Sequence, residues 1–204
     1  MSPTIIKTKS DVLKINPNLK ILWENPKKLH KTYLYIGSYP GDTGQRPINM
    51  GSKRIWFSSE IRIYDSSRNN AHYFEKDATY IIECDISNSG GLDAPIATVD
   101  VFLSKPPLFV LLPFLRRIYV SFPKRRISNS KCIGIKSIDV SAASLDGTPS
   151  TTMISFQYTA TEEDVGNKSL FIRVFSLSPL DVPEDFDLLS PKMDRHVAHR
   201  LLKV

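Results

Sequence analysis

The chain has 204 residues, 41% of them apolar, with net charge +6, two cysteines and four histidines. That is enough chain for one β-domain plus an arm, or for two small domains, with a real apolar core. No run approaches the roughly 18 apolar residues that span a bilayer, and the N-terminus shows no apolar secretory stretch, so synthesis and folding in the cytoplasm are expected.

The charge is unevenly placed. Residues 1–58 carry ten Lys/Arg against three acids, whereas the remainder carries 17 against 18. Within the remainder, Lys105–Ile138 holds eight Lys/Arg and no acid. Two local basic regions favour an anionic partner, whether lipid, acidic protein or nucleic acid, or else form solvated faces.

Residues 1–54 read as a basic arm punctuated by proline. Pro3, Pro17, Pro26, Pro40 and Pro47 exclude a long helix. Leu19–Trp23 and Tyr33–Ile36 have strand character, and Tyr39–Gly44 (YPGDTG) is a turn signal. The aromatic residues need cover, so the arm is expected to pack along the domain or dock on a partner.

Residues 55–204 read as the body. Ile55–Tyr64 (IWFSSEIRIY) opens it. Asp77–Pro106 is its organising stretch, a strand, a turn and a second strand. Thr79, Ile81, Glu83, Asp85 and Ser87 alternate with Tyr80, Ile82, Cys84 and Ile86, the period of a sheet with one wet face. Asn88–Ser89–Gly90–Gly91 ends the strand with residues that tolerate positive φ. Cys84 falls on the apolar face as a buried thiol, and a Cys84–Cys132 bridge is disfavoured in a reducing compartment.

Pro106–Ser128 stands apart. Leu108, Leu111, Leu112 and Phe114 lie in an apolar run, flanked by Arg116, Arg117, Lys124, Arg125 and Arg126. Such a run is a buried strand or core cover, or alternatively an apolar wedge with a basic collar suited to an anionic membrane surface. Tyr119 and Phe122 beside these cations also fit a nucleic-acid groove, but nothing has base-reading spacing, so nucleic acid ranks last.

Three alternating segments follow. Cys132–Ser141 is a strand with a break at Lys136–Ser137, Thr152–Thr159 is a second, and Ser169–Leu177 is a central strand covered on both sides apart from Arg173. Glu162–Lys168 reads as an acidic solvated loop, Ser178–Met193 as a proline-broken loop, and Asp194–Val204 as a closing strand. About seven strands with turn signals between them predict an antiparallel immunoglobulin-like β-sandwich with an extended basic N-terminal arm.

Two pieces carry a family resemblance. IIECDISNSGGLDAPIATVDVFLS (Ile81–Ser104) resembles the CARDB-type immunoglobulin-like module of bacterial cell-surface and adhesion proteins. The segment SLFIRVFSL and the ending Asp194-Arg195-His196-Val197-Ala198, with Trp56-Phe57-Ser58-Ser59-Glu60-Ile61 upstream, resemble bacterial proteins found near toxin and contractile injection clusters. His199 and Leu201 stand where those proteins have Gln and Asn, and Glu60 where they have Asp. The resemblance implies a non-catalytic cargo or accessory role in an injection particle, docking on its tube or lumen through the arm, with release or delivery alongside the particle.

Chemistry-bearing constellations are sparse. His196 and His199 would share a zinc on a helix, with Asp194 as a further ligand, but would face apart on a strand. Asp181, Glu184, Asp185 and Asp187 are hard oxygen donors on one loop and form a weak calcium candidate. No GxSxG motif, Cys–His pattern or phosphate loop is present, so no catalytic residue is assigned and no cofactor is expected. A membrane- or surface-binding effector and a small metal enzyme remain as alternatives.

Overall fold

The computed structural model describes residues 30–49, 57–105 and 124–203. Its strands are β1 (Leu34–Tyr35), β2 (Ile61–Tyr64), β3 (Thr79–Asn88), β4 (Ala94–Ser104), β5 (Arg125–Arg126), β6 (Lys131–Val140), β7 (Ser150–Thr159), β8 (Lys168–Leu177), β9 (Leu180–Asp181), β10 (Leu188–Leu189) and β11 (Val197–Leu202). Single 3₁₀ turns at Ile127–Asn129 and Glu162–Asp164 complete the regular structure among the described residues.

Every pairing is antiparallel. In the first sheet β3 pairs β7 along its whole length, while β1 and β2 share its opposite edge. In the second sheet the order is β6–β4–β8–β11, with β9 folded back on β8. The two sheets enclose one core: Leu34, Ile61, Ile63, Ile82, Cys84 and Ile86 from the first, Val99, Val101, Ile172, Val174 and Ala198 from the second. This is the expected immunoglobulin-like sandwich.

The two outer faces differ, and the sequence pattern explains why. The first sheet's outer face is a wet ladder. Thr79 meets Thr159 and Ser87 meets Thr151, each at 3.0 Å, and Arg62 forms a two-point ion pair with Asp85 at 2.6 and 2.7 Å. The second sheet's outer face is covered. Residues 182–196 and the β5–β10 ribbon lie over it, and Phe102, Phe171, Leu189 and Val197 form a second cluster with Ile127. A strand buried on both faces need not alternate, hence the unbroken run in β8.

Arg173 belongs to that buried layer, which corrects its reading as the strand's exposed exception. It is 6% exposed and pairs with Asp100, its cross-strand neighbour, through Nε at 3.1 Å and Nη2 at 2.5 Å. Its Nη1 donates to Phe186 O at 2.5 Å, and the rings of Phe102, Phe175 and Phe186 each lie 5.4 Å from its guanidinium carbon. A planar, weakly hydrated cation tolerates such a box. Burial still pushes the Asp100 carboxyl up, with the Arg173 hydrogen bonds opposing.

Two further expectations change. The break in alternation does not fall at Lys136–Ser137: β6 is one strand, and the register shifts fall between Ala94 and Ala97 of β4 and at Ile133 of β6, opposite Val101/Phe102. Lys136 shares a row with the inward Val99 and donates from Nζ to Ser155 O at 2.6 Å, across the sandwich edge. The glycines of the β3–β4 turn are not needed for positive φ, which Gly90 does not have. A Cβ on Gly90 would run into the backbone at Lys31 and Tyr33. Asn88, fully buried, holds this crossing by accepting from Tyr33 N and Gly90 N and donating to Leu92 O and Ser141 O.

Residues 30–49 are built into the sandwich. Leu34, Tyr35, Ile36 and Ile48 are buried, and β1 pairs the end of β3. Asp42 organises the turn after β1, accepting from Ser38 N and Gly44 N at 2.9 Å and pairing with Arg46 at 3.0 Å. The rest of the expected arm lies outside the described residues.

Candidate functional site

Two places concentrate charged side chains. The first is the ending that carried the family resemblance. Asp194, Arg195 and His196 precede β11, where they meet Asp181 of β9 and the backbone of β1. His196 is 2% exposed, with Nδ1 at 2.7 Å from Asp194 and Nε2 at 3.1 Å from Asp181. Asp181 also accepts from Leu34 N at 2.6 Å and is paired with Arg195. Arg195 lies 4.2 Å from the centre of the Tyr33 ring and donates to Leu34 O. Burial alone would lower the His196 pKa, but hydrogen bonds to Asp181 and Asp194 outweigh it and raise the value. Asp194 is held low by the same contact, against the effect of burial.

This arrangement fastens residues 30–49 to the chain's last strand. It does not assemble the metal site considered from sequence. His196 and His199 do not come together. His199 sits in β11 opposite Phe171, ring centres 4.7 Å apart, fully buried. Burial, aided by the charge of Arg125, holds its pKa at about 3, so the ring is neutral. The calcium candidates also diverge, since Asp181 faces Arg195 and His196 while Asp187 pairs with Arg126 at 2.8 Å. Among the described residues no three His, Cys, Asp or Glu side chains are placed to hold one metal ion.

The second place is one end of the sandwich, where β4 leaves the second sheet and β5, β6 and β8 begin. These strands surround an open cavity of about 720 Å³. Lys105, Arg125, Lys131 and Lys168 line it, with Asn129, Glu163 and Asp164.

Lys131 and Asp164 neutralise each other. Lys131 Nζ lies 3.0 and 3.1 Å from the Asp164 oxygens. Asp164 also accepts from Tyr158 Oη at 2.5 Å, Thr161 N at 2.8 Å and Thr161 Oγ1 at 2.7 Å. Burial pushes this carboxyl up, but the hydrogen bonds dominate and bring its pKa to about 2. The acidic segment expected to be a solvated loop is therefore a 3₁₀ turn capped by Thr161 and anchored through a buried Asp164.

The other three cations are different. Arg125 donates from Nε and Nη2 to Lys105 O at 3.2 and 2.9 Å, and Lys168 donates from Nζ to Glu163 O. At this end, among the described residues, the ion pairs are Lys131–Asp164, Arg126–Asp187 and Lys76–Glu162. Lys105, Arg125 and Lys168 join none of them. Lys168 is 9% exposed, and its ammonium is set against a backbone carbonyl rather than in an ion pair among the described residues.

Of the collar residues identified from sequence, Lys124, Arg125 and Arg126 are at this end, and Arg125 lines the cavity. Leu108, Leu111, Leu112, Phe114, Arg116 and Arg117 lie outside the described residues. Lys105 and Lys131 fall within the acid-free segment, so charge counting touched them. Lys168 and Asn129 carried no local signal, because strand register alone brings Lys168 beside residues about 40 or more positions earlier.

No protein-family model matches the chain, and no curated protein matches it. Solved structures do overlap it. The CARDB domain of a Pyrococcus furiosus protein, crystallised in complex with di-metal ions, matches with 11% identity and a TM-score of 0.42 over 87% of this chain and 91% of that one. The C-terminal domain of wzt matches with 9% identity and a TM-score of 0.36 over 86% of each chain. A β-glucosidase of Bifidobacterium adolescentis matches with 15% identity and a TM-score of 0.29 over 70% of this chain but 17% of its own. All three TM-scores lie below 0.5, and the fold described above rests on this chain's own strand pairing.

Proposed function

We propose that this chain is a non-catalytic, immunoglobulin-like binding module that engages an anionic partner through the basic end of its sandwich. The observation that carries this reading is the set Lys105, Arg125 and Lys168, three cations around one cavity without a carboxylate of their own. The non-catalytic part is supported by how the buried carboxylates are used. Asp100, Asp164 and Asp181 are each occupied by a cation, and Asp194 by His196. A general acid or base needs a free proton-transfer face towards substrate.

An anionic membrane surface is the partner favoured here, since the exposed Lys124 extends the basic end beyond the cavity. Sedimentation with vesicles tests it. The chain should pellet with phosphatidylserine-containing vesicles and not with phosphatidylcholine alone, and Lys105→Glu/Arg125→Glu should remain folded and lose most of that binding. Equal binding by wild type and variant would overturn the reading.

The finer role, cargo or accessory of an injection particle docking through residues 1–54, rests on the resemblance of the ending alone. Asp194, Arg195 and His196 are fully engaged in holding β1 and β9 to β11, a role in the fold that gives no support to a docking signal.

A further inference from the structure

We infer that the basic cavity is a binding site for a phosphate monoester, with Lys168 and Arg125 as the groups that hold the dianion and Lys105 beside them. This rests on the anionic-partner reading and narrows it to one chemistry.

The charge sets the class. Lys131 is matched by Asp164, which leaves Lys105, Arg125 and Lys168 against the exposed Glu163, a local excess of two positive charges. A phosphate monoester carries about −1.5 to −2 at pH 7. A carboxylate or a phosphodiester carries one negative charge and would leave a cation unmatched.

The donors agree. Arg125 uses Nε and Nη2 on Lys105 O, which leaves Nη1 with two hydrogens uncommitted among the described residues. Lys168 gives one of its three hydrogens to Glu163 O. Two further ammonium hydrogens and the Arg125 pair match the three terminal oxygens of a monoester, the charge-assisted geometry that makes such bonds strong. Lys168 is held in place because most of its length is buried, so little side-chain freedom is lost on binding. The cavity, about 720 Å³, is far larger than one phosphate and within the range of small-molecule sites, so it also accommodates the organic group that the phosphate esterifies.

That phosphate can belong to a soluble metabolite or to a lipid headgroup, and the test separates them. Calorimetric titration of the full chain with glycerol 3-phosphate should show binding, with glycerol and dimethyl phosphate inactive. In the lipid arm, vesicles containing phosphatidic acid, a monoester, should bind better than vesicles with the same charge density supplied by phosphatidylserine, a diester. Binding in the soluble arm with no preference between lipids assigns the site to a soluble ligand, and the reverse assigns it to a headgroup. Lys168→Met and, separately, Lys105→Gln/Arg125→Gln should each weaken monoester binding by about tenfold or more, the effect of losing one or two charge-assisted bonds. Arg68→Gln, on the outer face of the first sheet, should keep it. Should Lys168→Met fail to fold, the Lys105/Arg125 variant decides. No glycerol 3-phosphate binding together with no preference for phosphatidic acid overturns the inference, and if phosphatidylserine vesicles still bind, the broader reading survives it. Loss of all vesicle binding removes both. Tight, salt-sensitive binding of single-stranded DNA without monoester binding would also overturn it.

Discussion

Several buried charged side chains pin the turns and edges of this molecule outside its shared apolar core. Asp164 is the clearest. Its pKa lies at about 2 in the fold, below its ordinary value of 3.8, so the unfolded chain takes up its proton first as pH falls. Its contribution, about 2 kcal/mol from that shift, is present above about pH 4 and is lost as pH drops through 2. Asp164→Asn should destabilise the chain by that order at pH 7 and flatten acid unfolding below pH 4, read by chemical denaturation across pH. His196 has the opposite sign. Its folded pKa is raised above 6.5, so its ion pairs stabilise fully below pH 6.5 and that contribution is lost as pH rises through the folded value. His196→Gln should therefore cost more stability at pH 5.5 than at pH 9. A mutant whose deficit is independent of pH would contradict the buried imidazolium. None of this was legible from composition. The sequence shows Asp164 among acidic loop residues and His196 near another histidine, while their partners Lys131 and Asp181 lie elsewhere in the chain.

At the scale of elements, the strands were legible and their environments were not. β3, β7 and β8 stand close to where alternation placed them, because period-two patterning is a direct imprint of one covered face. β11 was also readable as a closing strand. What patterning could not show was the layer over the second sheet, since residues 182–196 have no period of their own and acquire order from Phe102, Phe171 and Arg173 beneath them. The same limit applies to β1, only two residues long, whose place depends on Asn88, Asp181 and Arg195. The boundary this implies is testable. Removal of residues 1–29 should leave a cooperative thermal transition. Removal of residues 1–50 strips Leu34, Ile36 and Ile48 from the core, each burial worth about 1.5–3 kcal/mol, and should abolish or greatly weaken it. Two equally stable truncations would show that β1 is dispensable.

For the molecule as a whole, charge is segregated. The first sheet's outer face pairs its own acids and bases, as in Arg62–Asp85 and Arg68–Glu83, whereas one end of the sandwich keeps Lys105, Arg125 and Lys168 unmatched. The acid-free segment 105–138 marks that end by its charge count alone. The cavity requires β8 to bring Lys168 beside it, a product of topology rather than of local pattern. Whether the anionic partner is recognised there or by the basic N-terminal residues is the central question, and one comparison answers it. Affinity for phosphatidylserine vesicles should be measured over a range of salt for the full chain, for the chain lacking residues 1–29, and for the full chain carrying Lys105→Gln/Arg125→Gln. The account predicts that the truncated chain retains binding with a similar salt dependence, and that the double variant loses most of the affinity and responds less steeply to salt. Binding that vanishes with residues 1–29 and is untouched by the double variant would contradict it.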